Sequence, residues 1–364
     1  FYLTRGATAA AGLALVPLAV SYVQVLALAM PAAVVGATAQ AACLGAKDTI
    51  TPMLSVALAA ALNLMGDLIL VPKRGIWGAA VATAFSQYAA CVLLSVALYR
   101  KGLLRIPSIL RHRHNNKETG RGGVAFLRRA AGSVAPFFAF GPFIFCCLCK
   151  LLLHNSASVT ASAIGDGLAG PAHTVIMSVA MFCFVLGDVG SSLAQAFLPT
   201  YCKKRAVDVD GGYCEIADDG SGPSFNLKKA RPAIMAVLRV SVSISAVCVA
   251  VSSAILTMGA GAFTSDAAVA TTLRNALPFT AATLSMHASA VTLEGLLLVQ
   301  RRLGFLCRVY AVMALGIVLA NRTVMQRGLG LNGVWAVYVV FQFVRITAFS
   351  WRAGLLQGRG QEEE

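Results

Sequence analysis

Long apolar segments alternate with short polar ones along almost the whole chain of 364 residues. Nine of the apolar segments have about 20 residues, the length that crosses roughly 30 Å of hydrocarbon as an α-helix. The pattern therefore predicts an all-α membrane protein whose helices pack into a bundle. The predicted spans are 23–43, 53–71, 76–99, 132–153, 168–187, 233–258, 272–299, 303–320 and 332–351, with residues 9–20 as a weaker tenth.

The composition agrees with the bilayer as the main solvent, since 58% of the residues are apolar, 12% are charged and the mean hydropathy is +0.74. The net charge of +15 comes from Lys and Arg residues that lie almost entirely between the spans. On alternate loops, about twenty basic residues face one side and five the other, which is a positive-inside pattern. We therefore expect a lipid partner and no nucleic acid, with the basic side facing cytosol or plastid stroma.

Polar segments divide the chain. We predict three helices of a first lobe in residues 1–100, a basic interlobe linker at 101–130, and a second lobe of six helices at 131–352. The second lobe carries an inserted loop at 203–229, and a polar tail follows at 353–364. GIWGAAVATAFSQ (75–87) and GLNGVWAVYVVFQ (330–342) suggest that the lobes repeat. On that basis three early helices are missing, and we expect an N-terminally truncated chain.

The sequence offers little for enzymatic or metal chemistry. Most of the ten cysteines lie in apolar spans and are expected to be buried thiols without disulfides. Cys146, Cys147 and Cys149 with His154 cannot aim three sulfur ligands at one ion from a single helix. The five histidines are scattered, and no nucleophile, zinc or cofactor motif is present. The sequence therefore predicts a protein that is not an enzyme, with no metal and no cofactor.

Six segments, in this order, resemble the multidrug and toxic compound extrusion (MATE) family, in its plant DETOXIFICATION type and closest to the chloroplast enhanced disease susceptibility branch. The segments are SYVQVLALAMPAAVVGATAQAACLGAKDTITP (21–52), LNLMGDLIL (62–70), GIWGAAVATAFSQ (75–87), GPAHTVIMSVAMFCFVLGDVGSSLAQAFLP (170–199), TLEGLLLVQRRLGFL (292–306) and GLGLNGVWAVYVVFQFVR (328–345). Two features depart from the family pattern. Leu26 stands where Arg usually follows Tyr22, and the loop at 203–229 is long and charged.

The resemblance implies a MATE-type bundle of two six-helix lobes, of which this chain would hold helices four to twelve. It implies a monomeric secondary antiporter that exports a small organic solute, in this branch an organic or aromatic acid, by alternating access in exchange for H⁺ or Na⁺. It also implies a plastid envelope protein, or otherwise one of the plasma or vacuolar membrane. A lipid-precursor flippase of the same superfamily is the alternative. Several cavity arginines would favour the flippase, whereas the sequence offers only Lys150 as a cavity cation.

Asp67 lies within an apolar span, where an ionisable side chain is costly and is a functional candidate by default. Asn63 lies one turn earlier and Thr83 on the next span, so carboxylate, amide and hydroxyl could converge. The resemblance implies that these three residues form the cation or proton site of the first lobe. The competing interpretation is a helix-end Asp near Lys73 and Arg74.

Glu294 is the second candidate for coupling. It has apolar neighbours on both sides, and His287 lies two turns earlier on roughly the same helix face. Burial favours the protonated carboxyl, so Glu294 is predicted to gain and lose a proton in the second lobe. The alternative is a structural Glu bonded to a neighbouring helix.

Lys150 is the main candidate for solute binding. It lies in an otherwise apolar span, and an ammonium inside a cavity favours an anionic solute. The resemblance points the same way, since drug-exporting plant members tend to carry Glu at this position. The alternative is a lysine that extends toward the interface near His154. Asp188, Gln195 and Gln40 are lesser candidates for solute contact, because polar groups in membrane helices usually bond across helix contacts.

Overall fold

A computed structural model of the chain describes residues 9–102, 141–202 and 225–356. Within these ranges nine helices are long and apolar enough to span a membrane, so the protein is an integral membrane protein. Short helical turns occur at Leu198–Tyr201 and Ala260–Phe263. The nine helices are α1 (Ala9–Gly45), α2 (Ile50–Arg74), α3 (Ile76–Arg100), α4 (Gly141–Ala163), α5 (Ala169–Phe197), α6 (Leu227–Met258), α7 (Ala267–Val299), α8 (Leu303–Gln326) and α9 (Gly330–Arg352).

The predicted all-α membrane fold is confirmed, and two of its details are corrected. The weaker tenth span at 9–20 is part of α1, which runs unbroken through Pro17 and Pro31. Membrane helices tolerate proline, and no polar segment separates the two apolar stretches. The fourth span ends ten residues later than predicted, at Ala163.

The extension of α4 is explained by its hydroxyl groups. Ser158 donates a hydrogen bond to the carbonyl of His154, and Thr160 donates to the carbonyl of Ser156. Each hydroxyl is thereby satisfied within its own helix, so these polar residues continue a membrane helix instead of ending it.

The helices fall into two compact units, the first containing α1 to α3 and the second α4 to α9. In the first unit α3 packs against both α1 and α2. Gly75 joins α2 to α3 with a φ of 58°, and a Cβ on Gly78 would lie 2.5 Å from the carbonyl oxygen of Leu70. Glycine at these two positions permits a very tight antiparallel pair of helices.

In the second unit, α7 lies at the centre and contacts α5, α6 and α9, while α8 packs against α4. Glycines allow α5 and α7 to approach closely, because a Cβ on Gly295 would lie 2.9 Å from the Cα of Ser191. Large aromatic side chains fill the remaining core, where Trp335, Tyr310 and Tyr338 are fully buried.

The two repeated glycine segments have the same local structure in their respective units. Gly75 precedes α3 with a φ of 58°, and Gly330 begins α9 with a φ of 61°. Most of the predicted linker at 101–130, most of the inserted loop at 203–229 and the end of the tail lie outside the described residues.

Candidate functional site

Glu294 lies at the centre of a buried charged cluster built from four helices of the second unit. It is 2% exposed on α7, and both of its carboxylate oxygens have partners. Lys150 on α4 places Nζ 2.7 Å from Oε1. Tyr310 on α8 donates its hydroxyl to Oε2 at 2.8 Å, and Arg345 on α9 places Nη2 2.5 Å from the same oxygen. The carboxylate therefore connects α4, α7, α8 and α9.

Arg345 is held by an ion pair, a hydrogen bond and aromatic rings. It is 1% exposed, and its Nη1 donates to Oε1 of Gln342 at 2.9 Å. Its guanidinium lies over the rings of Phe341, at 5.4 Å, and Phe349, at 5.8 Å. Planar stacking together with the ion pair leaves this cation little freedom.

Lys150 is the accessible member of the cluster. Its side chain is 30% exposed, against 3% for Glu294 and 2% for Arg345. The ammonium turns inward to the carboxylate and does not extend toward the interface near His154. Within the cluster two cations face one carboxylate, and Asp188 on α5 lies close enough to all three for its charge to act on them.

The polar network continues from Arg345 through Gln342 to His287, whose Nδ1 lies 2.9 Å from Gln342 Nε2. The His287 ring packs on Phe184, with centroids 4.4 Å apart. His287 and Glu294, which the sequence places on one helix face, are therefore joined through α9.

A second group of polar side chains lies on the other halves of α4 and α9. His154 Nδ1 is 3.1 Å from the Tyr338 hydroxyl, and His173 Nε2 is 3.2 Å from the Ser158 hydroxyl. His173 also packs on Trp335, with centroids 5.7 Å apart. Each histidine thus has a neutral partner, as expected for a packed core.

In the first unit, the hydroxyl of Thr83 on α3 donates to Oδ1 of Asn63 on α2 at 3.2 Å. Asp67 lies one turn further along α2, and its Oδ1 is buried with no hydrogen-bond partner among the described residues. Within the same ranges, no ion pair joins Asp67 to Lys73 or Arg74. The Asn63 amide and the Thr83 hydroxyl are therefore brought together, while one oxygen of the Asp67 carboxylate accepts no hydrogen bond from the described residues.

The lesser candidates are not hydrogen-bonded to the charged cluster. Gln195 is bonded to Ser191 on its own helix at 3.0 Å, and Gln40 is half-buried on α1. Asp188 is exposed on α5, close enough to Lys150 for the two charges to interact.

The structure also places the cysteines that the sequence analysis considered. Cys146 Sγ lies 3.9 Å from Cys307 Sγ, across α4 and α8, whereas Cys147 faces outward. Within the described residues no three histidine, cysteine or carboxylate side chains converge on a common point that could hold a metal.

Sequence reasoning missed Arg345 and Tyr310. The expectation that Lys150 is the only cavity cation is wrong, because Arg345 lies in the same cluster. The signal was available, since an arginine within an apolar span is a functional candidate by default. Tyr310 gave no comparable signal, because a tyrosine in an apolar helix is usually a core residue.

Curated plant proteins match most of the chain. It is 28% identical to Protein DETOXIFICATION 47, chloroplastic, of Arabidopsis thaliana, over 95% of this chain and 58% of the relative. It is 26% identical to Protein DETOXIFICATION 44, chloroplastic, of the same plant, over 93% of this chain and 57% of the relative. The chain therefore spans a little over half the length of these relatives. No family model matches the sequence.

Solved structures with the same fold are also transporters. An inward-facing multidrug resistance MATE family transporter of the MOP superfamily matches 95% of this chain and 73% of its own, with a TM-score of 0.60 and 17% identity. A MATE protein in the bent conformation matches 93% and 69%, with a TM-score of 0.57 and 19% identity. A MOP superfamily transporter from Pyrococcus furiosus, described as having reverse polarity of its binding pocket, matches 85% and 64%, with a TM-score of 0.51 and 20% identity.

These matches confirm the resemblance to plant chloroplast DETOXIFICATION proteins and to MATE transporters, and with it the MATE-type fold. They also confirm the prediction that the chain is not an enzyme, since the proteins it resembles are transporters.

Proposed function

We propose, from the premise that this chain has the MATE fold and is related to the plant chloroplast DETOXIFICATION proteins, that it is part of a secondary active exporter of a small organic anion. The exporter would work by alternating access, with H⁺ or Na⁺ as the coupling ion. The observation that carries the proposal is the cluster of Lys150, Glu294 and Arg345, in which the Lys150 ammonium is the partly exposed charge.

The preference for an anion follows from the unequal exposure of the two cations. Arg345 is fixed against Glu294 Oε2 and three aromatic rings, so it remains the permanent partner of the carboxylate. Lys150 bonds the other oxygen, is partly exposed and has a flexible stem. A solute carboxylate can therefore take the place of Glu294 Oε1 at the Lys150 ammonium without disturbing Arg345.

Glu294 then acts as the internal counter-ion of Lys150. When no solute is bound, the Glu294 carboxylate keeps the ammonium from facing a low-dielectric cavity unpaired, which would be costly. When an anion arrives, one ion pair is exchanged for another. A cationic solute gains nothing from this arrangement, because the partly exposed Lys150 ammonium repels it.

Thermodynamic linkage between proton and anion binding argues against Glu294 as the coupling residue and in favour of a carboxylate in the first unit. An anion at Lys150 makes protonation of Glu294 more favourable, and by reciprocity a proton on Glu294 makes anion binding more favourable. Such mutual support would move proton and anion together, which is the opposite of antiport. Exchange therefore needs a carboxylate elsewhere, and Asp67 is the candidate.

Asp67 has the features of a cation site. Its buried Oδ1 accepts no bond, and Asn63 and Thr83 present further oxygen atoms nearby on the same pair of helices. A proton satisfies the carboxylate directly, and Na⁺ would be held by the same kind of hard oxygen ligands. Neutralising Asp67 lowers the cost of moving α2 within an apolar environment.

The alternative of a lipid-precursor flippase gains one supporting observation, the second cation at Arg345. Arg345 is nevertheless committed to Glu294, so a single exposed ammonium remains for the solute, which suits a small carboxylate better than a diphosphate. For the Pyrococcus furiosus transporter, reverse polarity of the binding pocket was taken to suggest a different function. In this chain the partly exposed Lys150 ammonium is our reason to expect an anionic solute. The chloroplast relatives support a plastid envelope location.

The test uses the full-length protein that contains these 364 residues, reconstituted into proteoliposomes. Counterflow of labelled aromatic carboxylates and of organic cations is measured with and without a pH or Na⁺ gradient. We expect carboxylate exchange that Lys150→Gln reduces at least tenfold and that Lys150→Arg partly retains. Preferential exchange of cations would overturn the proposal, and scrambling of lipid-linked precursors would favour the flippase.

The coupling assignment has a test of its own. Asp67→Asn should abolish acceleration by the gradient while carboxylate counterflow continues, because exchange without a gradient needs only the anion site. Thr38→Ala serves as a control on the same unit, because the Thr38 hydroxyl donates to the Val34 carbonyl of its own helix and has no proposed role. If Asp67→Asn leaves gradient-driven transport intact and Glu294→Gln removes it, coupling lies in the second unit.

A further inference from the structure

The outer face of α9 carries an open, shallow apolar depression, called the α9 groove below, that the transport site does not use. Its lining residues are Phe343, Val344, Thr347, Ala348 and Trp351, and its volume is about 410 Å³. The Thr347 hydroxyl donates to the carbonyl of Phe343 at 2.9 Å, so the groove presents no unsatisfied polar group from it. Phe343 is 62% exposed and Trp351 is 56% exposed. Its apolar lining along a membrane-spanning helix suits contact with a hydrocarbon chain.

A group of arginines lies where this groove ends. Arg352 follows Trp351 directly, and its guanidinium is 5.8 Å from the centroid of the Phe305 ring. The Phe305 and Trp351 rings are 6.3 Å apart, which connects the groove to the arginines. Arg302 and Arg308 lie close enough to Arg352 for their charges to act on it.

These three like charges are not balanced by carboxylates in the described ranges, where no ion pair involves any of them. Like charges that crowd one another are destabilising, and an anion placed among them offsets that cost. Arg302 also precedes α8, whose first turn has no side-chain cap. The free amide groups and the positive end of the helix dipole therefore add to the attraction for an anion.

We propose that this end of the second unit binds one anionic phospholipid, with its phosphate among Arg302, Arg308 and Arg352 and an acyl chain along the α9 groove. The groove is what favours a lipid over a free phosphate or a soluble organic anion, because it is apolar, continuous with the arginines and part of a membrane-spanning helix. The basic side of the bundle, where the arginines lie, is the side on which anionic lipid headgroups attract basic clusters.

The binding test needs no transport activity, so it can fail or succeed independently of the proposed function. The full-length protein in detergent is titrated with phosphatidylglycerol, phosphatidylcholine or inorganic phosphate, and bound lipid is counted by native mass spectrometry. We expect phosphatidylglycerol to bind in preference to phosphatidylcholine, with a stoichiometry of one at saturation of the tight site. Equal binding of the two lipids would overturn the proposal, and so would competition by millimolar inorganic phosphate alone.

Variants separate the headgroup contact from the groove. Replacing two of the arginines, Arg302→Gln with Arg352→Gln, should weaken phosphatidylglycerol binding about thirtyfold, at roughly fivefold for each basic residue. The matched control replaces Arg322 and Arg327 with Gln at the other end of α8 and should leave binding unchanged. Ala348→Trp fills the groove with every charge intact, and it should also reduce binding. Unchanged binding in Ala348→Trp, or in the Arg302 and Arg352 variant, would overturn the proposal.

The acidic residues at the end of the sequence, Glu362 to Glu364, are the competing occupant of the arginines. Removal of residues 361–364 should leave phosphatidylglycerol affinity unchanged. If that truncation is required before lipid binds, the arginines are occupied by the chain itself and the proposal fails.

Discussion

The close backbone approach of α5 and α7 makes a quantitative prediction at Gly295, the residue that follows Glu294. A Cβ added there would lie 2.6 Å from Ser191 Oγ, 2.9 Å from Ser191 Cα and 3.0 Å from Ser191 O. Two of these three atoms belong to the backbone of α5, so a side-chain rotation cannot remove the overlap. Gly295→Ala therefore has to push α5 and α7 apart.

The magnitude follows from comparison with a glycine in open space. Gly316 lies in the middle of α8, and an added Cβ there would contact nothing within 4 Å. Both substitutions gain about 1 kcal/mol in helix propensity, so the difference between them isolates the cost of overpacking. That cost is about 1–3 kcal/mol. Gly316→Ala should therefore be stabilising by about 1 kcal/mol.

The assay is thermal unfolding of the two purified variants in the same detergent at the same scan rate. At about 2 °C per kcal/mol for a chain of this size, Gly295→Ala should melt roughly 2–6 °C below Gly316→Ala. Adding Ser191→Gly to Gly295→Ala removes the hydroxyl but keeps the backbone atoms, so rescue should be partial. Equal melting temperatures for the two glycine variants would refute the reasoning, and complete rescue would show that the backbone contact is unimportant.

Two further predictions concern ion pairing and thiol geometry. The hydrogen bond from Lys101, followed by that from Thr51, lowers the pKa of Asp48 from 3.8 to about 2. The stabilisation is therefore present above pH 3.8 and is lost as the pH falls toward 2, and a melting series should lose this acid sensitivity in Asp48→Asn. Mild oxidation should join Cys146 to Cys307, whose sulfur atoms are 3.9 Å apart, with a mass loss of two hydrogen atoms on the linked peptides. Retention of both thiols, under conditions in which exposed Cys147 reacts fully, would contradict the predicted pairing.

The membrane fold could be predicted well because hydrophobic length is a local property of the sequence. Each membrane span could be recognised from its own apolar residues, without knowing which helices pack against it. Only the ends of the helices depended on local hydrogen bonding. The end of α4 was misplaced because Ser156 and Ser158 look like a polar boundary in sequence, although their hydroxyls are satisfied by carbonyls of the same helix. Whether a hydroxyl group can bond a carbonyl of its own helix depends on backbone geometry, and counting apolar residues along the sequence gives no information about it.

The partners in the charged cluster could not be predicted in the same way. Glu294 and Lys150 were visible as isolated charges in apolar spans, but their pairing joins residues on α7 and α4 that are far apart in sequence. Arg345 could have been found by the same criterion that selected Glu294, whereas Tyr310 required the packing of α8 against the site. Which oxygen each partner takes, and hence which cation can exchange, is a property of the assembled helices alone.

The tight connection between α2 and α3 makes the two helices move as one rigid pair. Because the turn at Gly75 and the contact of Gly78 with Leu70 prevent one helix from sliding along the other, the two must tilt together. Asp67 lies about 12 Å from that turn and the far end of α3 about 37 Å, at 1.5 Å per residue. A tilt of about 10° that moves the carboxylate by about 2 Å then moves the far end by about 6 Å. In the proposed mechanism, Asp67 therefore lies close to the turn, where a small displacement of the carboxylate accompanies a threefold larger displacement at the far end of α3.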